Sequence, residues 1–155
     1  MKISFLIVAI AVCVLIVACG KDKYNTTPQL EFKSVNGSSF PNGSLVSFKF
    51  NVTDKEGDIL DTMWIQKFSI ICPDSDTEVP TPYLLPNFTT TKHLKVELDV
   101  NYGYGAGNSI YVPLDRSLCA SNQQRNDSIY FRFWMKDEAG NVSDTVTTDP
   151  ITLLK

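Results

Sequence analysis

Histidine is nearly missing from this chain of 155 residues, which has one, and positive charge is in slight deficit, with 14 Lys and Arg against 17 Asp and Glu. A net charge of -3 leaves no basic field for a polyanion, so nucleic acid is excluded as a partner. The single imidazole, His93, excludes a zinc site built on paired histidines. No Gly-x-Ser-x-Gly stands before a helix, and no histidine adjoins a candidate nucleophile. There is also no Cys-x-x-Cys, and no stretch carries helical amphipathic spacing of useful length. These gaps together argue against an enzyme. With 43% hydrophobic residues the chain is neither disordered nor a multi-pass membrane protein, and its length suits one domain plus a short extra segment.

That extra segment opens the chain. Met1-Lys2 supplies a positive start, residues 3–18 are apolar except for Ser4, and Cys19-Gly20-Lys21-Asp22-Lys23 follows at once. This apolar run has the length of a secretory h-region and falls short of the about 20 residues that span a bilayer as a helix. Ile16-Val17-Ala18-Cys19 resembles the bacterial lipobox. That resemblance implies cleavage before Cys19 and attachment of acyl chains to it. Residues 1–18 are therefore read as a lipoprotein signal peptide, 19–28 as a lipidated polar tether, and 29–155 as the folded domain. Several acyl chains on one cysteine anchor a protein stably, each buried methylene contributing about 0.8 kcal/mol.

From residue 29 onward the periodic segments alternate with period two, the signature of strands that bury one face. Residues 29–35 form a first candidate. In 45–53, Val46, Phe48, Phe50 and Val52 share a face; in 93–100, Leu94, Val96, Leu98 and Val100 do, leaving His93 to solvent. Residues 61–71 are apolar on parts of both faces, and Trp64 there is assigned to the core. Ile129, Phe131, Phe133 and Met135 share a face of 128–136, and 142–153 gives a last, interrupted strand. Weaker strands are expected at 83–85 and 109–114. About seven short strands separated by Gly, Pro, Asn and Asp predict an all-β, immunoglobulin-like antiparallel sandwich, with a small closed barrel as the alternative. The link Asp137-Glu138-Ala139-Gly140-Asn141 reads as a hairpin with Gly140 or Asn141 at positive φ.

Three stretches carry a family likeness: Pro28-Gln29-Leu30-Glu31-Phe32; Phe50-Asn51-Val52-Thr53-Asp54-Lys55-Glu56-Gly57-Asp58-Ile59; and Phe133-Trp134-Met135-Lys136-Asp137-Glu138-Ala139-Gly140-Asn141-Val142-Ser143. Together with residues 148–153 they resemble the uncharacterised immunoglobulin-like lipoproteins of Bacteroidota. The resemblance implies an outer-membrane lipoprotein of the cell envelope with no assigned activity, and leaves the surface and periplasmic faces equally open.

Three constellations remain as candidate sites. Cys72 and Cys119 are the cysteines left once Cys13 goes with the signal and Cys19 is acylated. In such a sandwich they fall at one end of neighbouring strands, and an oxidising compartment favours a disulfide between them; two separate thiols are the alternative. The second constellation is acidic. Asp54, Glu56, Asp58 and Asp61 lie in or beside one turn, and Asp137, Glu138, Asn141 and Asp144 surround the hairpin. Both turns are expected at the same end of the fold. Asp54, Glu56, Asp58, Asp137 and Asn141 would supply oxygens suited to calcium, although Gly57 stands too early for an EF-hand loop. The simpler reading is of two polar turns whose side chains bond their own backbone. Third, if Ile129 and its period-two partners are buried, then Tyr130, Arg132, Trp134 and Lys136 face outward, with Tyr102, Tyr104 and Tyr111 expected near by; exposed Tyr, Trp and Arg favour an interface.

The functional expectation is a lipid-anchored, non-catalytic interaction or structural module of the envelope. Its alternative is adhesive or carbohydrate binding through Tyr130 and Trp134 or the end loops. No cofactor is expected beyond calcium; the partners are the membrane, through the lipid, and an envelope protein or glycan.

Overall fold

The computed structural model describes residues 24–73, 79–105 and 111–155; the signal segment, Cys19 and residues 20–23 lie outside the described residues, as do Ala106 and Gly107. Two sheets face each other. One has the order β1-β3-β6-β7, from β1 (Gln29–Val35), β3 (Leu45–Asp54), β6 (Leu94–Tyr104) and β7 (Val112–Leu114). The other runs β2-β10-β8-β4-β5, from β2 (Ser39–Phe40), β10 (Ile151–Leu153), β8 (Asp127–Lys136), β4 (Thr62–Ser69) and β5 (Thr81–Leu84), with β9 (Val146–Thr147) also paired to β8. The chain crosses between sheets from β1 to β2, β2 to β3, β3 to β4, β5 to β6 and β7 to β8, the Greek-key wiring of an immunoglobulin-like sandwich. A single helical turn, α1 (Leu118–Asn122), precedes β8.

The period-two segments predict about seven strands, whereas ten are present among the described residues. The surplus comes from short edge pieces. The first expected strand is β1, which pairs antiparallel with β3 along its length with a bulge between Phe32 and Ser34; the chain then changes sheet, and β2 pairs parallel with β10. A second parallel pair joins β6 to β7, so the sheets are mixed at their edges and antiparallel through their centres. β7 falls within the expected 109–114 and β9 and β10 within the interrupted 142–153, whereas β2, two residues long, is too short for alternation to register and is not expected from the sequence.

Alternation dictates the core. Val46, Phe48, Phe50 and Val52 from β3 meet Ile129, Phe131, Phe133 and Met135 from β8, all at 0–1% exposure. Phe48 packs edge-on to Phe131 with centroids 5.0 Å apart, and Phe50 lies 4.6 Å from Phe133. Such offset and edge-to-face contacts add to the burial of the rings themselves. Met63 and Ile65 of β4 complete the layer.

The polar residues that continue these inward rows shape the two ends. At one end Ser69 Oγ donates to Asp127 (2.7 Å), whose other oxygen accepts the Ser117 N–H (2.6 Å), and the Lys67 ammonium donates to the Asp115 carbonyl (3.0 Å). Cys72 and Cys119 are joined there by a disulfide, their Cα atoms 6.1 Å apart. At the opposite end β3 runs out into Asp54 and β8 into Asp137. Residues 24–28, assigned to the tether on sequence, are packed against that end: Pro28 is buried, the Asn25 carbonyl accepts the Lys55 N–H (3.0 Å), and the Tyr24 ring meets His93.

Candidate functional site

The two outer surfaces of the sandwich are chemically opposite. On the four-stranded sheet the outward row is charged and self-paired: the Lys49 ammonium lies 2.8 Å from Glu97 and 3.3 Å from Asp99, and Asn51 donates to Glu31 (2.9 Å). The Glu97 and Asp99 carboxylates raise the Lys49 pKa, with Glu97 the larger cause. On the six-stranded sheet the outward row of β4 and β8 is aromatic. In register, Trp64 stands opposite Trp134, Gln66 opposite Arg132, and Phe68 opposite Tyr130.

These pairs stack. The Trp64 and Trp134 rings are within 3° of parallel with centroids 6.3 Å apart, and Phe68 and Tyr130 are within 8° at 5.0 Å. The Arg132 guanidinium sits 4.8 Å from the Phe68 centroid and the Lys136 ammonium 5.7 Å from that of Trp64, both in cation–π range. All four rings are half-buried and Arg132 is exposed. The sequence expectation for Tyr130, Arg132 and Trp134 is met in placement. Trp64, assigned to the core, is not there: Met63 and Ile65 point inward, and Trp64 between them faces outward. Tyr102 and Tyr104 are also not part of this face. They lie on β6, buried at 5% and 4%, and the Tyr104 hydroxyl donates to the Leu154 carbonyl.

A Lys136–Asp61 ion pair of 2.9 Å links the aromatic face to the acidic end. There Asp54, Asp58 and Asp137 each bring one carboxylate oxygen to within 4.8 Å of the others. Asp54 and Asp137 are fully buried and Asp58 half-buried. Burial raises the Asp54 pKa, the nearby Asp58 and Glu56 charges add to the rise, and backbone N–H groups of Gly57 and Asp58 oppose it. Glu56, a candidate ligand on sequence, is exposed and lies outside the group of three. Asn141 takes a supporting place, its backbone N–H and Nδ2 donating to the two oxygens of Asp137 at 2.7 and 2.8 Å.

The turn that carries Asp58 has one solution. Gly57 sits at φ +78°, and a Cβ there would stand 2.2 Å from the Thr91 carbonyl oxygen, so only glycine fits. Gly140, at φ +89°, closes the hairpin as expected, with its N–H on the Asp137 carbonyl (3.1 Å). The Glu138 N–H then donates to the Asp58 carbonyl (2.8 Å), joining the two turns.

No family model matches the chain, and no curated protein matches it. Among solved structures it is similar to Spo0M, the sporulation control protein of Bacillus subtilis, at 11% identity and a TM-score of 0.45, over 83% of this chain and 50% of that one. It is also similar to a Niemann-Pick type C2 protein from the Japanese carpenter ant, at 12% identity and a TM-score of 0.39, over 87% of this chain and 96% of that one. This chain thus spans half the length of the Spo0M chain.

Proposed function

We propose that this chain is a lipid-anchored, non-catalytic interaction module of the bacterial envelope that docks a protein partner on the outer face of β4 and β8. The carrying observation is the contrast between the two outer surfaces. On the four-stranded sheet Lys49 is paired with Glu97 and Asp99 and Asn51 with Glu31, while the other sheet presents two stacked aromatic pairs capped by Arg132 and Lys136. Trp, Tyr and Arg supply large contact area at small entropic cost and dominate binding energy at protein interfaces. Anchoring rests on the lipobox-like Ile16-Val17-Ala18-Cys19.

A carbohydrate reading of the same face requires ring faces free to stack on sugars. Trp64 and Phe68 already have neighbours against theirs, namely Trp134 with Lys136 and Tyr130 with Arg132, which favours a protein partner. The test is affinity purification of the full-length protein from its own envelope, beside Cys19→Ala and Trp134→Ala, with mass spectrometry of what is retained. A stoichiometric protein partner, lost in both variants, is expected. Retained polysaccharide without protein would replace this reading with the adhesive one, and retention of neither would refute both.

A further inference from the structure

The geometry points to a calcium site formed by Asp54, Asp58 and Asp137 where the turn after β3 meets the hairpin after β8. Two oxygens bound to one calcium ion at 2.3–2.6 Å cannot stand more than about 5 Å apart. One oxygen from each of the three carboxylates meets that limit, all lying within 4.8 Å of one another.

An independent observation indicates a ligand. Asp54 Oδ2 and Asp58 Oδ1 are both shut off from solvent, and neither has a hydrogen-bond partner. Asp54 as a whole is 0% exposed, so its free oxygen is a buried acceptor on one of the three clustered carboxylates. Desolvated carboxylate oxygens left without a donor are costly, and two ionised carboxylates cannot satisfy each other. A cation satisfies both at once.

The rest of the site has the character of a support layer. Asp54 Oδ1 accepts the Gly57 N–H at 2.5 Å, which restrains the carboxylate and leaves Oδ2 as the oxygen without a donor. The two donors on Asn141 hold the Asp137 carboxylate in the same way, and each of its oxygens keeps a lone pair for a metal. Backbone bonds from Lys55 to Asn25, from His93 to Lys55 and from Glu138 to Asp58 clamp the turn from three sides, at 3.0, 2.8 and 2.8 Å. The donor set is all oxygen, which suits a hard cation and not zinc. Magnesium retains several waters in near-octahedral geometry, for which two fully buried acids leave little room, whereas calcium tolerates an irregular set. Ligands from two turns mean that the ion ties β3 to β8 at the end against which residues 24–28 pack.

The test uses the full chain purified in detergent, stripped with chelator and titrated calorimetrically with calcium chloride and separately with magnesium chloride, with thermal unfolding followed in parallel. One calcium per chain is expected, with a dissociation constant of about 10⁻⁴–10⁻³ M, the range of extracellular modules, and a rise in Tm that magnesium does not reproduce. Asp137→Asn and Asp58→Asn should abolish both signals while Glu56→Gln keeps them. If Asp137→Asn fails to fold, the half-buried Asp58 carries the comparison. No calcium response, an equal magnesium response, or binding unchanged by Asp58→Asn would each overturn the assignment.

Discussion

Replacing Cys72 and Cys119 by alanine should remove about 4 kcal/mol of the stability of the domain while leaving its fold intact. The disulfide closes a loop between residues 47 apart in sequence. In the chain-entropy model a loop of that size restricts the unfolded chain by about 14 cal/mol/K, or about 4 kcal/mol at 25 °C. Natural domains hold only about 5–15 kcal/mol in total. For a domain of about 130 residues the unfolding entropy is about 0.27 kcal/mol/K, so the midpoint should fall by about 15 °C. Because the effect acts on the unfolded state, the oxidised unfolded chain is the more compact, and the denaturant m-value should rise on removal. Thermal and urea unfolding followed by circular dichroism, with the double variant beside oxidised and reduced wild type, gives both quantities. A midpoint shift below about 4 °C together with an unchanged m-value would rule this out, since the link would then not restrict the unfolded chain as its loop length requires.

Three further outcomes follow from the same geometry. Gly57→Ala should destabilise by more than about 2 kcal/mol, because it strains a left-handed residue and drives a methyl into the Thr91 carbonyl; a change within about 0.5 kcal/mol by urea unfolding would contradict that. A double-mutant cycle on Trp64→Ala and Trp134→Ala should give a coupling of about 0.5–1.5 kcal/mol, and additive losses would mean that the stacked rings do not interact. The Thr62 hydroxyl, and after it Lys136, hold the Asp61 pKa below its ordinary value. A depressed carboxyl stabilises the fold above its unfolded pKa and loses that contribution as pH falls through the folded value. Asp61→Asn should therefore flatten the decline in stability below about pH 4, and an unaltered acid limb in pH-dependent urea unfolding would argue against the pair.

The central layer of this fold is plain in the sequence because β3, β6 and β8 are long enough for alternation to assert itself. The edges are legible only in outline: β7, β9 and β10 lie within segments read as strands but are two or three residues long, and β2 carries no pattern at all. Trp64 shows how a mixed strand misleads. Met63, Ile65, Lys67 and Ser69 form the inward row of β4, so polarity increases along the buried face while tryptophan and phenylalanine occupy the outer one. Hydrophobicity alone assigns such a strand backwards. The acidic end was closer to legible than the turn assignment suggests. Asp54 continues the series Val46, Phe48, Phe50, Val52, and Asp137 continues Ile129, Phe131, Phe133, Met135, so period two followed one step past the last apolar residue brings both acids indoors. Asp54 and Asp58 share one turn, whereas the approach of Asp137 is long-range, expected only from the placing of both turns at one end of the fold and made by the Glu138 to Asp58 backbone bond.

The measurement closest to the central claim is site-specific photo-crosslinking of the full-length protein in its own envelope. A photoreactive phenylalanine analogue is placed at Arg132, on the aromatic face, and in a second preparation at Glu97, on the charged face. One discrete protein adduct is expected from position 132 and none from position 97. Adducts of equal yield from both positions, or from position 97 alone, would contradict it.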